Sequence, residues 1–263
     1  PECFAQLDSA LAGPWHAAVV FYGENLAELW HRGGTMREIR YRLTTLGDYT
    51  GADSIADATI DHLKGAAPAY QECLWRRHDY RNREAIGDLV AIAVLYAPAA
   101  QERLSVYYRA GWPEGVNVDV AAYTDYAGAN TESGPGLVDH VMLASGTSET
   151  QGFGGLELLL HEVSHIVFGP RHGAVSRSLR AAAAGLDVPL PRELWHAISF
   201  YTSGTVIEEE AADAGIEYSA YRVRQGVYPE YESVLAEHWK PYLDGEIGLD
   251  EAARRTVAAS AAM

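Results

Sequence analysis

The stretch Gly155-Leu156-Glu157-Leu158-Leu159-Leu160-His161-Glu162-Val163-Ser164-His165-Ile166-Val167 limits what this chain can be more than any other. It sets His-Glu-x-x-His inside an apolar run. Residues four apart on a helix share one face. His161 and His165 therefore project together and offer two imidazole nitrogens to one metal ion. Glu162, beside the first of them, has a carboxylate that reaches a metal-activated water. Two histidines and an adjacent carboxylate base are what zinc-assisted hydrolysis needs. Five residues with two wildcards also recur by chance, so the flanks matter. Leu158, Leu159, Leu160, Val163, Ser164, Ile166 and Val167 carry no charge, and such a helix can be buried with its histidines reaching a cleft. The plainer alternative is a buried helix whose histidines only hydrogen-bond to their neighbours.

A catalytic zinc site has three protein ligands and one open position, and the motif supplies two. His172 follows His165 by seven residues. The metzincin spacing puts a glycine three after the second histidine and the third histidine six after it; here those positions hold Phe168 and Arg171. His196 lies on a later segment with Leu194, Trp195, Ile198 and Phe200. A histidine on so apolar a helix needs a polar partner, and a metal would satisfy it. A carboxylate from a later helix is the other route, with Glu193 and Glu208 the foremost candidates and Glu209 and Glu210 beside them. Two further residues have a functional and a structural reading. Tyr201 can donate its phenol to a developing oxyanion or simply fill the core. Glu157 can orient a ligand histidine or sit near the helix start because the dipole favours an acid there.

Periodicity and punctuation place these residues. Helices are predicted from Trp15 to Trp30, over 36–46 with basic character, from Asp53 to Leu63, over 68–78 and 84–96 with a break at 79–82, and after Pro98. Val116–Tyr123 and Val138–Ala144 read as strands, and 128–136 (GANTESGPG) as turns. The second strand is expected at the sheet edge beside the cleft, where its free backbone groups can pair with a peptide. Helices follow over 171–184, 192–201, 206–225 after a break at 202–205, 231–240, and 249–261. Trp30, His31 and the other early aromatic and histidine residues read as core or helix-end contacts, and Asp125 and Asn130 as possible cleft rim. The fold class is α+β and mostly helical. Residues 1–110 form a helical region, 111–170 the sheet and motif helix, and 171–263 a helical lobe, in one continuous catalytic domain.

The segments His161-Glu162-Val163-Ser164-His165, Leu194-Trp195-His196-Ala197 and Phe200-Tyr201-Thr202-Ser203-Gly204 together resemble bacterial zincin-like proteins of the HExxH metallopeptidase superfamily. The resemblance covers 155–167, extends in part over 112–150 and 191–204, and does not include 1–90. It implies a zincin core: a small sheet packed on an active-site helix, with a helical lower lobe. It also favours His196 as third ligand.

Charge narrows the partners. The chain of 263 residues has a formal charge of −16, which repels a polyanionic backbone and disfavours nucleic acid. No run of 18 or more apolar residues appears, so no transmembrane segment is expected. The chain opens Pro-Glu-Cys, without Met or a leader, as a mature or shortened form would. Cys3 and Cys73 are either one bridge in an oxidising compartment or two thiols. The expectation is a secreted or periplasmic zinc metallopeptidase acting on peptides. Zinc would be held by His161, His165 and His196, with Glu162 as general base and Tyr201 at the oxyanion. The alternatives are a metal-binding interaction protein that cleaves nothing, and a helical binding protein without metal.

Overall fold

The computed structural model describes residues 2–27, 29, 39, 54–124, 128–133 and 139–263. The predicted basic helix over 36–46, apart from Ile39, and Trp30, His31 and Asp125 lie outside the described residues. The protein is α+β and mostly helical, with one three-stranded sheet among the described residues. It divides into two compact units, Pro1–Arg83 with Glu132–Val138, and Glu84–Thr131 with Asp139–Met263.

The first unit holds α1 (Glu2–Ala5), α2 (Ser9–Glu24), α3 (Ser54–Tyr70) and a π turn (Gln71–Trp75). Helix α2 starts before the expected Gly13-Pro14, because the Asp8 carboxylate accepts from the Ala10 amide at 2.8 Å and caps it. It ends at Glu24, short of Trp30, where the Asn25 side-chain amide donates to the Phe21 carbonyl at 2.8 Å. Helix α3 runs on through Gly65, which lies beside Pro14 of α2. Cys3 and Cys73 are bridged, with Cα atoms 5.6 Å apart, a separation ordinary for a disulfide. Closing a loop of this length stabilises a fold by about 4 kcal/mol in the chain-entropy account.

Helix α4 (Arg76–Tyr108) is continuous through the expected break at 79–82 and through Pro98. Arg83 Nε donates to both Asp79 oxygens at 3.0 and 2.9 Å, one turn apart, so the polar residues stitch the helix instead of ending it. Ala97, Ala100, Leu104 and Tyr108 recur at helical spacing and are buried in the second unit, and such packing overrides the local cost of a proline. Residues 55–108 also contain an 18-residue window apolar enough, by length and composition, to cross a membrane, and little of it is buried.

In the second unit β1 (Asn117–Ala121) pairs in parallel with β3 (His140–Ala144), and β2 (Ala129–Glu132) lies on the other side of β3. The strand before the motif helix is therefore central. The edge expected of it belongs to β2, inside the stretch read as turns. Val141 and Leu143 alternate toward the motif helix and meet Leu158, Val163 and Phe200.

The motif helix α5 (Gly152–Val167) packs its other side, through Leu156 and Leu160, on the C-terminal helices. Each such leucine contributes roughly 2 kcal/mol on burial. Helix α5 begins three residues before Gly155. Side chains at Gly154 and Gly155 would collide with the carbonyls of Glu149 and Thr150, so the glycine pair lets the preceding turn close onto the helix.

The remaining helices are α6 (Ala174–Leu186), α7 (Leu194–Asp213), α8 (Tyr221–Gln225), α9 (Pro229–His238), α10 (Lys240–Leu243) and α11 (Leu249–Ser260). The break expected at 202–205 is absent, because those residues are buried in the helix and the side chains of Thr202 and Ser203 are hydrogen-bonded there. Trp239 Nε1 donates to Thr202 Oγ1 at 3.0 Å, and Ser203 Oγ donates to the Ser199 carbonyl at 2.9 Å. Gly204 has no side chain where Arg222 and Glu157 press against the helix.

Candidate metal centre

Two helices build the site. Helix α5 presents His161 and His165 one turn apart, their ring centroids 4.6 Å from each other. Helix α7 brings His196, whose centroid is 5.2 Å from that of His161 and 5.0 Å from that of His165. One ligand nitrogen from each lies within 4.8 Å of the others. His161 is 1% exposed. Its imidazole is held well below the usual histidine range, first by burial and then by His165 and His196, so it is neutral, as a metal ligand must be.

Hydrogen bonds orient these rings. Tyr228 donates its one phenolic proton to Glu193 Oε2 at 3.2 Å. With the phenolic proton on the Glu193 side, the phenol oxygen is the acceptor toward His196 Nδ1, 2.9 Å away, and His196 carries its proton on Nδ1. Its Nε2 lone pair is left facing His161 Nε2 at 3.3 Å. Ser199 Oγ lies 3.3 Å from His161 Nδ1. A positive centre has to lie between the two Nε2 atoms, either a proton on His161 or a cation. Zinc–nitrogen bonds of about 2.05 Å at the tetrahedral angle put two ligand nitrogens about 3.3 Å apart. The 3.3 Å separation matches that edge for this pair, and the three ligand nitrogens together lie within 4.8 Å of one another.

Glu162 is 7% exposed, and its Oε2 lies 4.0 Å from His165 Nε2. Thr131 on the edge strand β2 places Oγ1 2.6 Å from that same oxygen and 2.6 Å from the Glu162 carbonyl. This carboxylate and its tether thus come from the motif helix and the sheet edge. Comparison of this chain with protein-family models, curated proteins and solved structures finds no match. The reading of the site rests on its own geometry.

The other sequence candidates lie elsewhere. Tyr201 is five residues after His196, about 140° round the helix, and its ring lies 4.5 Å beneath the Arg222 guanidinium in the core. A phenol does stand at the cluster, but it is Tyr228, delivered from another element. Glu193 reaches the site only through Tyr228. Glu208 accepts from the Ala220 amide at 2.8 Å and pairs with Arg222 at 3.4 Å. Glu209 and Glu210 pair with Arg103. His172 closes a turn with Gly169 after the motif helix. Sequence reasoning missed Thr131, Ser199 and Tyr228. A serine three residues after His196 on the same helix was the one legible signal among them.

Glu157 neither orients His161 nor merely answers a helix dipole. It is fully buried, and its Oε2 accepts from the Tyr218 hydroxyl at 2.6 Å and the Tyr221 amide at 2.8 Å. Burial pushes its carboxyl up to about 7 from 4.5, against the lowering effect of those two bonds and of Arg222 and Arg224. The folded state thus binds the proton more tightly than the unfolded chain. This contribution to stability is complete below about pH 4.5 and is lost as pH rises to about 7. Over that window it amounts to roughly 3 kcal/mol. Denaturant unfolding at stepped pH is expected to show the loss in the wild type, and Glu157→Gln to flatten the profile by that amount. Parallel profiles for the two proteins would refute the assignment.

Proposed function

We propose that this protein is a zinc-dependent hydrolase, with a metallopeptidase as the leading form, built on a zincin-like core. Its ion would be held by His161, His165 and His196. The observation that supports the reading is the pair of Nε2 atoms at 3.3 Å, with Tyr228 hydrogen-bonded to the other ring nitrogen of His196 at 2.9 Å. A bound zinc ion supplies Lewis acidity, which brings a water's pKa toward neutrality and polarises a carbonyl.

The chain's own residues do the rest. Glu162, steadied by Thr131, accepts the proton of the attacking water and returns it to the leaving amine. Burial of His161 and Glu162 excludes bulk water and strengthens each charge interaction at the site. Tyr228 keeps His196 turned toward the cluster. The acidic surface favours peptides over nucleic acid as substrate, and the Cys3–Cys73 bridge supports a secreted or periplasmic setting.

Purified protein dialysed against zinc is expected to retain one equivalent per chain by elemental analysis. It is expected to cleave members of a broad peptide library and to stop when a chelator strips the metal. Absence of stoichiometric zinc would overturn the reading. Retained zinc with no cleavage would reduce it to a metal-binding interaction protein.

A further inference from the structure

We infer that Tyr228 and Glu193 are positioning residues that set the metal affinity of the centre by locking the tautomer of His196. The inference rests on the metal reading above and deepens it. Tyr228 stands immediately before α9 with φ 52° and ψ 48°, left-handed backbone that a bulky residue seldom adopts. Such conformations cost about 1 kcal/mol or more, persist only when their surroundings enforce them, and collect at functional sites. Gly226, two residues earlier, is also left-handed, at φ 61°. Together they fold the chain back so that the Tyr228 ring meets the His196 ring edge-on, centroids 5.6 Å apart.

The hydroxyl is then a bridge with a fixed direction. Glu193, the residue before α7, has only acceptor oxygens, so it takes the phenolic proton. The phenol oxygen can then only accept from His196 Nδ1. Moving the His196 proton to Nε2, the nitrogen that faces His161, would break the bond that Nδ1 makes to the phenol. A ligand tied in this way characteristically loses 10- to 100-fold in metal affinity when its tether is removed.

Cobalt(II) serves as the probe, with affinity read by chelator competition and coordination read by its visible absorption. Tyr228→Phe keeps the ring and the backbone conformation and removes only the bridge. It is expected to weaken cobalt binding 10- to 100-fold and to reduce the intensity of the four-coordinate bands. Glu193→Ala is expected to do the same. The double variant should be no weaker than the weaker single one, since both break one chain of bonds. Glu193→Gln, whose amide oxygen still accepts, should restore the wild-type affinity and spectrum.

A Tyr228→Phe affinity within twofold of wild type, or additive losses in the double variant, would overturn the inference while leaving the metal site standing. A loss matched by an equal fall in the stability of the metal-free variant would assign Tyr228 to packing and also overturn it. Failure of the wild type itself to take up cobalt would overturn the metal reading and this inference together.

Discussion

Glu162→Gln is expected to retain a full equivalent of zinc while losing hydrolytic activity by a factor of roughly 10² to 10⁴, the usual contribution of a positioned general base. Glutamine has nearly the shape of glutamate and can still accept from Thr131 through its amide oxygen, so the tether from β2 survives. It has no basic oxygen to take a proton at neutral pH. The three histidines are untouched, so metal content separates this outcome from a collapsed site. Both kcat and kcat/KM should fall together, because the group acts on the transition state. Retained turnover with zinc bound would remove Glu162 from its assigned role and with it the mechanism.

His161→Ala is expected to abolish stoichiometric metal binding. The apparent free energy of structural zinc binding is about 10–16 kcal/mol over four ligands. By that measure one lost ligand costs roughly 3 kcal/mol, a hundredfold or more in affinity. The substitution also removes a ring stacked on Phe200 at 3.7 Å and leaves a cavity, so metal content alone does not separate loss of the site from loss of the fold. The response to added zinc does. At a thousandfold excess over its Kd, a ligand that binds only the folded state stabilises it by about 4 kcal/mol. The wild type should show that rise in melting temperature, and His161→Ala, with its hundredfold weaker site, should show no more than about a third of it. An equal rise in both would mean that zinc binds elsewhere.

The parts of this molecule legible in the sequence are those where one helix holds the whole signal. His161, Glu162 and His165 are adjacent in a single period, and their apolar flanks declare the helix buried. His196 was legible as an ill-fitting polar residue on an apolar helix, and the structure brings it to the other two. The misplaced breaks share one cause, which is that small and polar residues were taken as punctuation. Thr202 to Thr205 look like a turn, yet Thr202 receives the Trp239 indole and Gly204 admits Arg222. Ala129 to Glu132 lie among glycines and serines, yet they form the sheet edge that carries Thr131. Tyr228 has no local signature, because its role depends on a left-handed turn and on two residues more than thirty positions away. Such roles are properties of the closed fold, and no window of neighbouring residues contains them.

The Cys3–Cys73 bridge has a further consequence. Residues 3 to 73 form a covalent ring, so a single peptide-bond cut anywhere within it releases no fragment. The nicked chain remains one molecule in its oxidised form and separates only on reduction. In surroundings rich in proteases, damage to this part of the chain would leave α1 attached to the helix that ends in Tyr108.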